Sequence, residues 1–262
     1  MSELIILEIK DNIAKITLNR PQFGNALTPE LSNELLSAID KVEANDSVKA
    51  VIITGAGKVF CAGGDLRYLL EVVSSLRPHE IREFLVKLGA PILKLRTLKQ
   101  PVIASINGAA VGVGFDFLLH CDIRIAAEDA VMGPTWVKNN IIPVMGSMSL
   151  LSKFIGISKA TEMILCGDTI SGKEAERINL INKSVPKENL ATESIAWAKK
   201  ILRNGPIAVT MAKHGLHECN GSHLQFELEK AVYQQSACMK TEDFKEGLKA
   251  TIEKRPPNFL GK

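Results

Sequence analysis

Residues 103–116 constrain the fold more than any other stretch, because a strand, a glycine-rich turn and a helix with one acid follow each other directly. The segment is Ile-Ala-Ser-Ile-Asn-Gly-Ala-Ala-Val-Gly-Val-Gly-Phe-Asp. Glycines at 108, 112 and 114 would let the backbone approach a ligand closely, and the first N–H groups of a helix have no intrahelical partner. We therefore predict an oxyanion site at this turn, with Asp116 beside it.

Strands and helices alternate through the first part of the chain. Apolar runs at 50–54, 101–106 and 123–126 are typical of strands covered on both faces, and a helical pattern at 78–98 lies between the first two. This order predicts βαβ organisation and an α/β fold. The remaining elements expected at the start of the chain are strands at 4–8 and 13–19 and a helix at 29–44 capped by Thr28. Beyond residue 156 we expect helices at 158–166, 171–178, 187–204, 207–219, 224–239 and 241–254.

Composition excludes several classes of function. The 262 residues are 46% hydrophobic and 23% charged, which suits one large globular domain or a core with a small appendage. A net charge of +3 without basic clusters argues against nucleic-acid binding, and no apolar run is long enough to span a membrane. Five cysteines without a CxxC pair, and no leader at the N-terminus, predict reduced thiols in a cytoplasmic protein.

A series of short motifs covers nearly the whole chain and resembles the enoyl-CoA hydratase/isomerase (crotonase) superfamily. Each motif alone is weakly specific, but their order and spacing together are highly specific. In chain order they are Asn19-Arg-Pro, Asn25-Ala-Leu, Val51-Ile-Ile-Thr-Gly, Phe60-Cys-Ala-Gly-Gly-Asp-Leu, Ile106-Asn-Gly, Cys121-Asp122, Ile142-Pro143, Gly167-Asp168, Glu174-Ala175 and Glu253-Lys-Arg-Pro-Pro-Asn-Phe.

The resemblance implies an α/β fold made of a crotonase-like spiral of ββα units, with a C-terminal helical trimerisation region. We expect residues 1–195 to form the acyl-CoA-binding core and residues 196–262 to form the helical region that covers the pocket and makes the oligomer. The implied partner is an acyl-CoA thioester, and the implied assembly is a homotrimer or a hexamer made of two trimers. No cofactor is implied, because CoA is part of the substrate.

By the same resemblance, two backbone N–H groups hold the thioester oxygen, at Gly64 and Val113, and Asp116 is the catalytic acid/base. Val113 stands where relatives usually have glycine, so its branched side chain should narrow the pocket. Hydratases of the family carry a second glutamate at the position of Trp136 here. An indole has only a donor N–H and cannot transfer the proton.

Other members of the family place an acid eight residues beyond that position, which is Val144 in this chain. Such an acid occurs in dienoyl-CoA isomerases and in aryl-CoA dehalogenases. Because Val144 is not an acid, this chain lacks the full set of acids of either group. One acid and an oxyanion hole favour isomerisation or an unusual hydration over ordinary hydration. Decarboxylation or other enolate chemistry is an alternative, and a non-catalytic acyl-CoA-binding scaffold is another.

The resemblance also assigns ligand contacts. Trp136 is expected to form a wall of the substrate pocket, together with Tyr68 and Phe115. The adenine of CoA is expected to lie against the segment 58–66, and its phosphates near Arg20, although Arg20 is as well explained as a solvated turn residue. Asp65 and Asp122 match positions that are mainly structural in the family and bind backbone donors at turns. The residues assigned to CoA are Arg20, Ala62, Asp65 and Leu66.

A cluster of potential metal ligands near the C-terminus does not carry the spacing of a metal site. It consists of His214, His217, Cys219 and His223, without an HExxH or paired CxxC motif, in helices that we expect to make the oligomer. We therefore predict no metal site.

Overall fold

The computed structural model describes residues 3–221 and 224–260. Its strands are β1 (Ile5–Lys10), β2 (Ile13–Leu18), β3 (Ala50–Gly55), β4 (Val59–Cys61), β5 (Val102–Ile106), β6 (Ala109–Val111), β7 (Ile123–Ala127), β8 (Val131–Gly133), β9 (Ile170–Ser171) and β10 (Lys183–Val185). Its helices are α1 (Pro29–Ala44), α2 (Leu66–Glu71), α3 (Pro78–Thr97), α4 (Val113–His120), α5 (Ser147–Cys166), α6 (Gly172–Arg177), α7 (Leu190–Leu202), α8 (Pro206–Gly221), α9 (Leu224–Cys238) and α10 (Glu242–Glu253).

The larger sheet contains the strands that the apolar runs predicted. Its order is β1-β2-β3-β5-β7-β10, with β1 and β2 antiparallel and the other neighbours parallel. All residues of β5 are buried, as expected for a strand covered on both faces. Helix α7 packs against β3, β5 and β7 and covers one face.

A second sheet of order β4-β6-β8-β9 runs beside the first, and the sequence patterns did not reveal it. After each of β3, β5 and β7 the chain passes directly to a strand of the second sheet, and then to a helical segment. This repeated order is the predicted spiral of ββα units. The strands β4, β6 and β8 have only three residues each, too few to show a periodicity of two.

The predicted helices are present, with two differences. The helix expected at 158–166 begins earlier, at Ser147, and Gly156 interrupts it with φ 77° and ψ 157°. Helix α2 after β4 was not predicted. The predicted cap of α1 is confirmed, since the Thr28 hydroxyl accepts a hydrogen bond from the Leu31 amide at 3.3 Å.

The C-terminal part of the chain is helical, as predicted, and contains α8, α9 and α10. The boundary expected between the core and the C-terminal region, after residue 195, falls inside α7. The helix that covers one face of the larger sheet therefore continues across this boundary. Within the described residues, every helix is too short or too polar to cross a membrane.

Candidate functional site

The glycine-rich turn before α4 lies beside the loop after β4. Strands β4 and β6 are parallel neighbours, with Cys61 opposite Ala110, so the chain leaves both strands at the same edge of the second sheet. A Cβ atom on Gly63 would lie 3.0 Å from the carbonyl oxygen of Val111 and 3.6 Å from the backbone nitrogen of Val113. Gly63 also has φ +99°, which favours glycine. The two segments that resemble oxyanion loops are therefore in direct contact.

Gly114 keeps α4 against β4. A Cβ atom there would lie 2.1 Å from the carbonyl oxygen of Cys61, so only glycine fits this position. The helix itself is buried along its whole length, and Asp116 is its one carboxylate. Helix α4 therefore starts at the glycine-rich turn and carries the candidate acid into the core in its first turn.

The N–H groups of Gly64 and Val113 take no part in the bridge with Leu27 or in the hydrogen bonds within α4. Leu27 forms a parallel bridge with Gly64, in which the Leu27 amide donates to Gly63 and the Asp65 amide donates to Leu27. In a parallel bridge the N–H of the central residue points to the other side. Val113 is the first residue of α4, whose N–H has no intrahelical acceptor. The Gly64 N–H therefore points away from Leu27, and the Val113 N–H lies at the open end of α4; their role as an oxyanion hole stays a prediction.

The Asp116 side chain has no exposed surface. Its Oδ1 accepts a hydrogen bond from the Ser147 hydroxyl at the start of α5, and its Oδ2 has no hydrogen-bond partner among the described residues. Burial raises the pKa of this carboxyl well above its ordinary value, against a smaller opposing effect of the backbone amides of Met145 and Ser147. Asp116 therefore keeps its proton to a higher pH than an exposed aspartate does.

His120 lies one turn after Asp116 on the same face of α4. Like Asp116, it contacts the chain where α5 begins. Its Nε2 donates to the carbonyl of Met145 at 2.5 Å, and burial lowers its pKa to about 3, so the ring is neutral. Neither Ser147 nor His120 was identified from the sequence. The i, i+4 spacing of Asp116 and His120 could have suggested that both contact the same segment. Ser147 is 31 residues from Asp116, and no sequence pattern links the two.

The position of the second acid in related hydratases is apolar and buried. Trp136 lies in a 3-10 turn, Thr135–Asn139, directly after β8, and is 6% exposed. This turn adjoins the glycine turn, since a Cβ atom on Gly112 would lie 3.9 Å from the Thr135 hydroxyl oxygen. The Trp136 indole nitrogen has no hydrogen-bond partner among the described residues, and Val144 is also buried.

The other residues assigned to the pocket pack tightly. Val113 is 2% exposed and Phe115 is fully buried in the core. Tyr68 in α2 is partly buried and stacks on Phe84 of α3, with ring centroids 5.8 Å apart. These contacts explain Tyr68 and Phe115 as packing residues, and their contact with a substrate stays a prediction.

The four residues assigned to CoA lie together around the loop after β4, but two of them are paired. Arg20 donates to Asp65 at 2.8 Å and lies over the Phe23 ring at 4.0 Å. Asp65 also accepts from two amides at the start of α2, as expected for a turn aspartate. Burial alone would raise the pKa of Asp65, but the Arg20 contact and these amides lower it. Ala62 is exposed and Leu66 partly buried, so both are open to a ligand.

The two described histidines of the C-terminal cluster of potential metal ligands contact different residues. The rings of His214 and His217 contact the Thr97 carbonyl at 3.2 Å and Asp122 at 2.6 Å, while His223 and the Cys219 side chain lie outside the described residues. Asp122 accepts from the Val102 amide at 2.7 Å, as predicted for a structural aspartate. Among the side chains that the structure describes, no group of three metal-ligating residues occurs.

Comparison with known proteins identifies the family. A family model described as enoyl-CoA hydratase/isomerase matches residues 8–262. A crotonyl-CoA hydratase of Syntrophomonas wolfei is 35% identical, with 99% of each chain covered.

Solved structures agree. An enoyl-CoA hydratase of Bacillus anthracis is 36% identical with a TM-score of 0.77, over 99% of this chain and 100% of that one. A carnitinyl-CoA hydratase of Mycobacterium avium is 28% identical with a TM-score of 0.87, over 100% of both chains. The fold and these sequence matches together show that this chain is an enzyme of the enoyl-CoA hydratase/isomerase family.

Proposed function

We propose that the protein acts on an enoyl-CoA or a related acyl-CoA thioester, and that it moves a proton rather than adding water in the ordinary way. In this proposal the amides of Gly64 and Val113 hold the thioester oxygen as it becomes an enolate, and Asp116 is the single acid/base. The names of the relatives, crotonyl-CoA hydratase and carnitinyl-CoA hydratase, support a CoA thioester as substrate.

The observation that carries the proposal is the isolation of Asp116. Among the side chains whose burial is described, the carboxylates in the buried class are Asp116 and Asp243. Asp243 is bonded to the Leu260 amide near the C-terminus. The two positions where relatives place a second acid hold Trp136 and Val144, which cannot accept a proton from water. A mechanism that needs two carboxylates therefore lacks its second group.

One acid is sufficient for isomerisation. Asp116 in its ionised form would remove a proton from C2 of a 3-enoyl thioester, which leaves a dienolate with its charge on the thioester oxygen. The neutral acid would then return the proton to C4, giving the 2-enoyl thioester. A raised pKa makes Asp116 a stronger base than an ordinary aspartate and suits it to both steps. The two amides stabilise the intermediate charge, and one such donor typically contributes about 2.7–4 kcal/mol.

A substrate panel tests the proposal. The purified protein is incubated with crotonyl-CoA, 3-enoyl-CoA and methylmalonyl-CoA, and the same assays are run with Asp116→Asn. We expect turnover of 3-enoyl-CoA above that of crotonyl-CoA, and a loss of about 100-fold or more in kcat for Asp116→Asn. The affinity of the variant for the thioester should stay within a few fold. Full activity of Asp116→Asn would remove Asp116 from the mechanism.

Decarboxylation of a malonyl-type thioester is the alternative within the same enolate chemistry, and turnover of methylmalonyl-CoA alone would favour it. The complete burial of Asp116 favours one further alternative, a scaffold that binds acyl-CoA without reacting. A scaffold would bind all three thioesters and convert none of them.

A further inference from the structure

A cavity of about 280 Å³ lies beyond the carboxyl end of α4, where α3, α5 and α8 meet. It is separate from the Asp116 site and plays no part in the proposed reaction. Its lining combines two arginines and two lysines with one carboxylate. The lining residues are Arg96, Cys121, Asp122, Arg124, Leu150, Lys153, Phe154, Lys213, Leu216 and His217.

Three of the cations are almost completely buried. Arg96 is 9% exposed, Arg124 is 6% exposed and Lys213 is 5% exposed. Such burial of a permanent charge is costly unless an opposite charge or several hydrogen bonds compensate it. For the chain as a whole, the net charge is only +3, so this concentration of positive charge around one cavity is a local feature.

Most of the compensation comes from neutral carbonyl groups. Arg124 donates to the carbonyls of Leu180 and Cys121 at 2.9 and 2.7 Å, and its guanidinium lies 4.4 Å from the centre of the Phe154 ring. Lys213 donates to two further carbonyls and to Asp122, at 2.8–2.9 Å. These bonds use the three donors of Lys213 and the Nε and Nη1 donors of Arg124, but they do not neutralise the charges.

Asp122 is the single carboxylate in the lining, and two side chains of α8 contact it. It contacts Lys213 at 2.9 Å and His217 at 2.6 Å. Burial lowers the pKa values of Arg96, Arg124 and Lys213, and the attraction of Asp122 only partly opposes this effect in each case. The three buried cations of the lining, Arg96, Arg124 and Lys213, thus face one carboxylate, and a bound anion would offset this local imbalance of charge.

We propose that this cavity binds a small tetrahedral oxyanion of the phosphate class. Guanidinium groups match the geometry of phosphate oxygens, and Arg96 and Arg124 are two such groups at one cavity. The volume is sufficient for one phosphate with a few waters. Binding would stabilise the fold, because α3, α5 and α8 all contribute to the lining.

Thermal unfolding of the full chain tests this. Midpoints are measured in 10 mM inorganic phosphate and in chloride at equal ionic strength and pH. We expect phosphate to raise the midpoint of the native protein by roughly 3 °C or more over chloride. A parallel series with AMP distinguishes the source of the ligand: a shift with phosphate alone indicates a free oxyanion, and a shift with both indicates the phosphoryl group of a larger molecule. No shift with either overturns the proposal.

Two variants locate the effect. Arg96→Gln removes one guanidinium of the cavity, and Arg82→Gln removes an exposed arginine of the same helix. We expect the phosphate shift to disappear in Arg96→Gln and to remain in Arg82→Gln. An equal shift in both variants would place the anion elsewhere and overturn the proposal.

Leu216→Glu is a second variant that does not depend on the buried arginine. Leu216 lines the cavity but is 66% exposed, so a glutamate there should fold normally and supply the missing negative charge itself. We expect this variant to lose the phosphate shift while its midpoint in chloride stays equal to or above that of the native protein. Retention of the full shift would contradict the assignment even if Arg96→Gln fails to fold.

Discussion

The environment of Asp116 decides what this acid can do. One oxygen is bound by the Ser147 hydroxyl and the other has no partner among the described residues, so the side chain has one fixed and one unused oxygen. The resemblance identified Asp116 from its place in a motif. Ser147 was not predictable, because hydrogen bonds between residues far apart in sequence arise only when the chain folds and leave no local pattern.

Ser147→Ala should impair catalysis through the position and pKa of Asp116. Loss of a donor to the carboxylate disfavours its ionised form, so the acid limb of the kcat/KM profile should move to higher pH, and kcat should fall about tenfold with little change in KM. Ser147→Thr, which keeps a hydroxyl, should restore most of the rate. Ser152→Ala removes a hydroxyl from the same helix and is the control. An unchanged pH profile in Ser147→Ala would show that the contact has no catalytic role.

Trp136→Glu tests whether the second acid is what ordinary hydration lacks. We expect at least about a tenfold gain in hydration of crotonyl-CoA, because a carboxylate would then stand where related hydratases have one. The indole is buried, so the change should also lower the unfolding free energy by about 3–5 kcal/mol, and activity must be compared at a temperature where both proteins are folded. Trp136→Gln is the control for size. No gain, or an equal gain in Trp136→Gln, would mean that the pocket differs in shape as well.

Among the elements, α4 links the glycine-rich turn to the rest of the core. Gly114 fits it against Cys61, and Asp116 and His120 both bind the segment that begins α5. The sequence predicted α4 and the longer strands well, because each contains enough residues for an apolar run to be visible. It could not predict the three-residue strands of the second sheet, whose pairing depends on their neighbours in space.

The burial of His120 in α4 should make stability depend on acid pH. The His120 pKa is lowered from 6.5 to about 3 by burial, so the unfolded chain takes up this proton first as the pH falls. The contribution of neutral His120 to the unfolding free energy is therefore present above pH 6.5 and is lost progressively toward pH 3. The loss amounts to roughly 2–3 kcal/mol between pH 7 and 4.5.

Urea unfolding at pH 7.0, 5.5 and 4.5 measures this effect. His120→Gln can still donate to the Met145 carbonyl but does not titrate, so its unfolding free energy should fall less between pH 7.0 and 4.5 than that of the native protein. His79→Gln, at an exposed position of α3, should behave like the native protein. Equal pH dependence in all three proteins would contradict the assigned pKa.

For the molecule as a whole, the order of the motifs was enough to predict the spiral. The chain passes alternately through the two sheets, and β4 and β6 end at the same edge, which is how Gly63 comes to lie beside Val111 and Val113. The charged cavity between α3, α5 and α8 could not be predicted in this way. Its cations come from segments up to 117 positions apart in sequence, and nothing in the local pattern of any one segment indicates the others.

The exposed apolar residues of the C-terminal helices lead to a prediction about assembly. Ile207 and Met211 lie one turn apart on α8 and are 73% and 70% exposed, and Tyr233 on α9 is 74% exposed. Large apolar side chains in such positions are typical of subunit interfaces. These side chains therefore indicate a subunit interface, and the family resemblance implies a homotrimer or a hexamer. We predict a mass about three or six times that of the 28.5 kDa chain in light scattering.

The double substitution of Ile207 and Met211 by Glu should shift the protein to smaller species, because burying two added carboxylates in an interface is unfavourable. Its circular dichroism should remain that of the native protein, since both side chains are exposed in the single chain. Val86→Glu, at an exposed apolar position of α3, provides the control and should leave the mass unchanged. A native mass in the double variant would mean that this face of α8 is not in the interface, and a native protein that is monomeric at micromolar concentration would refute the predicted assembly.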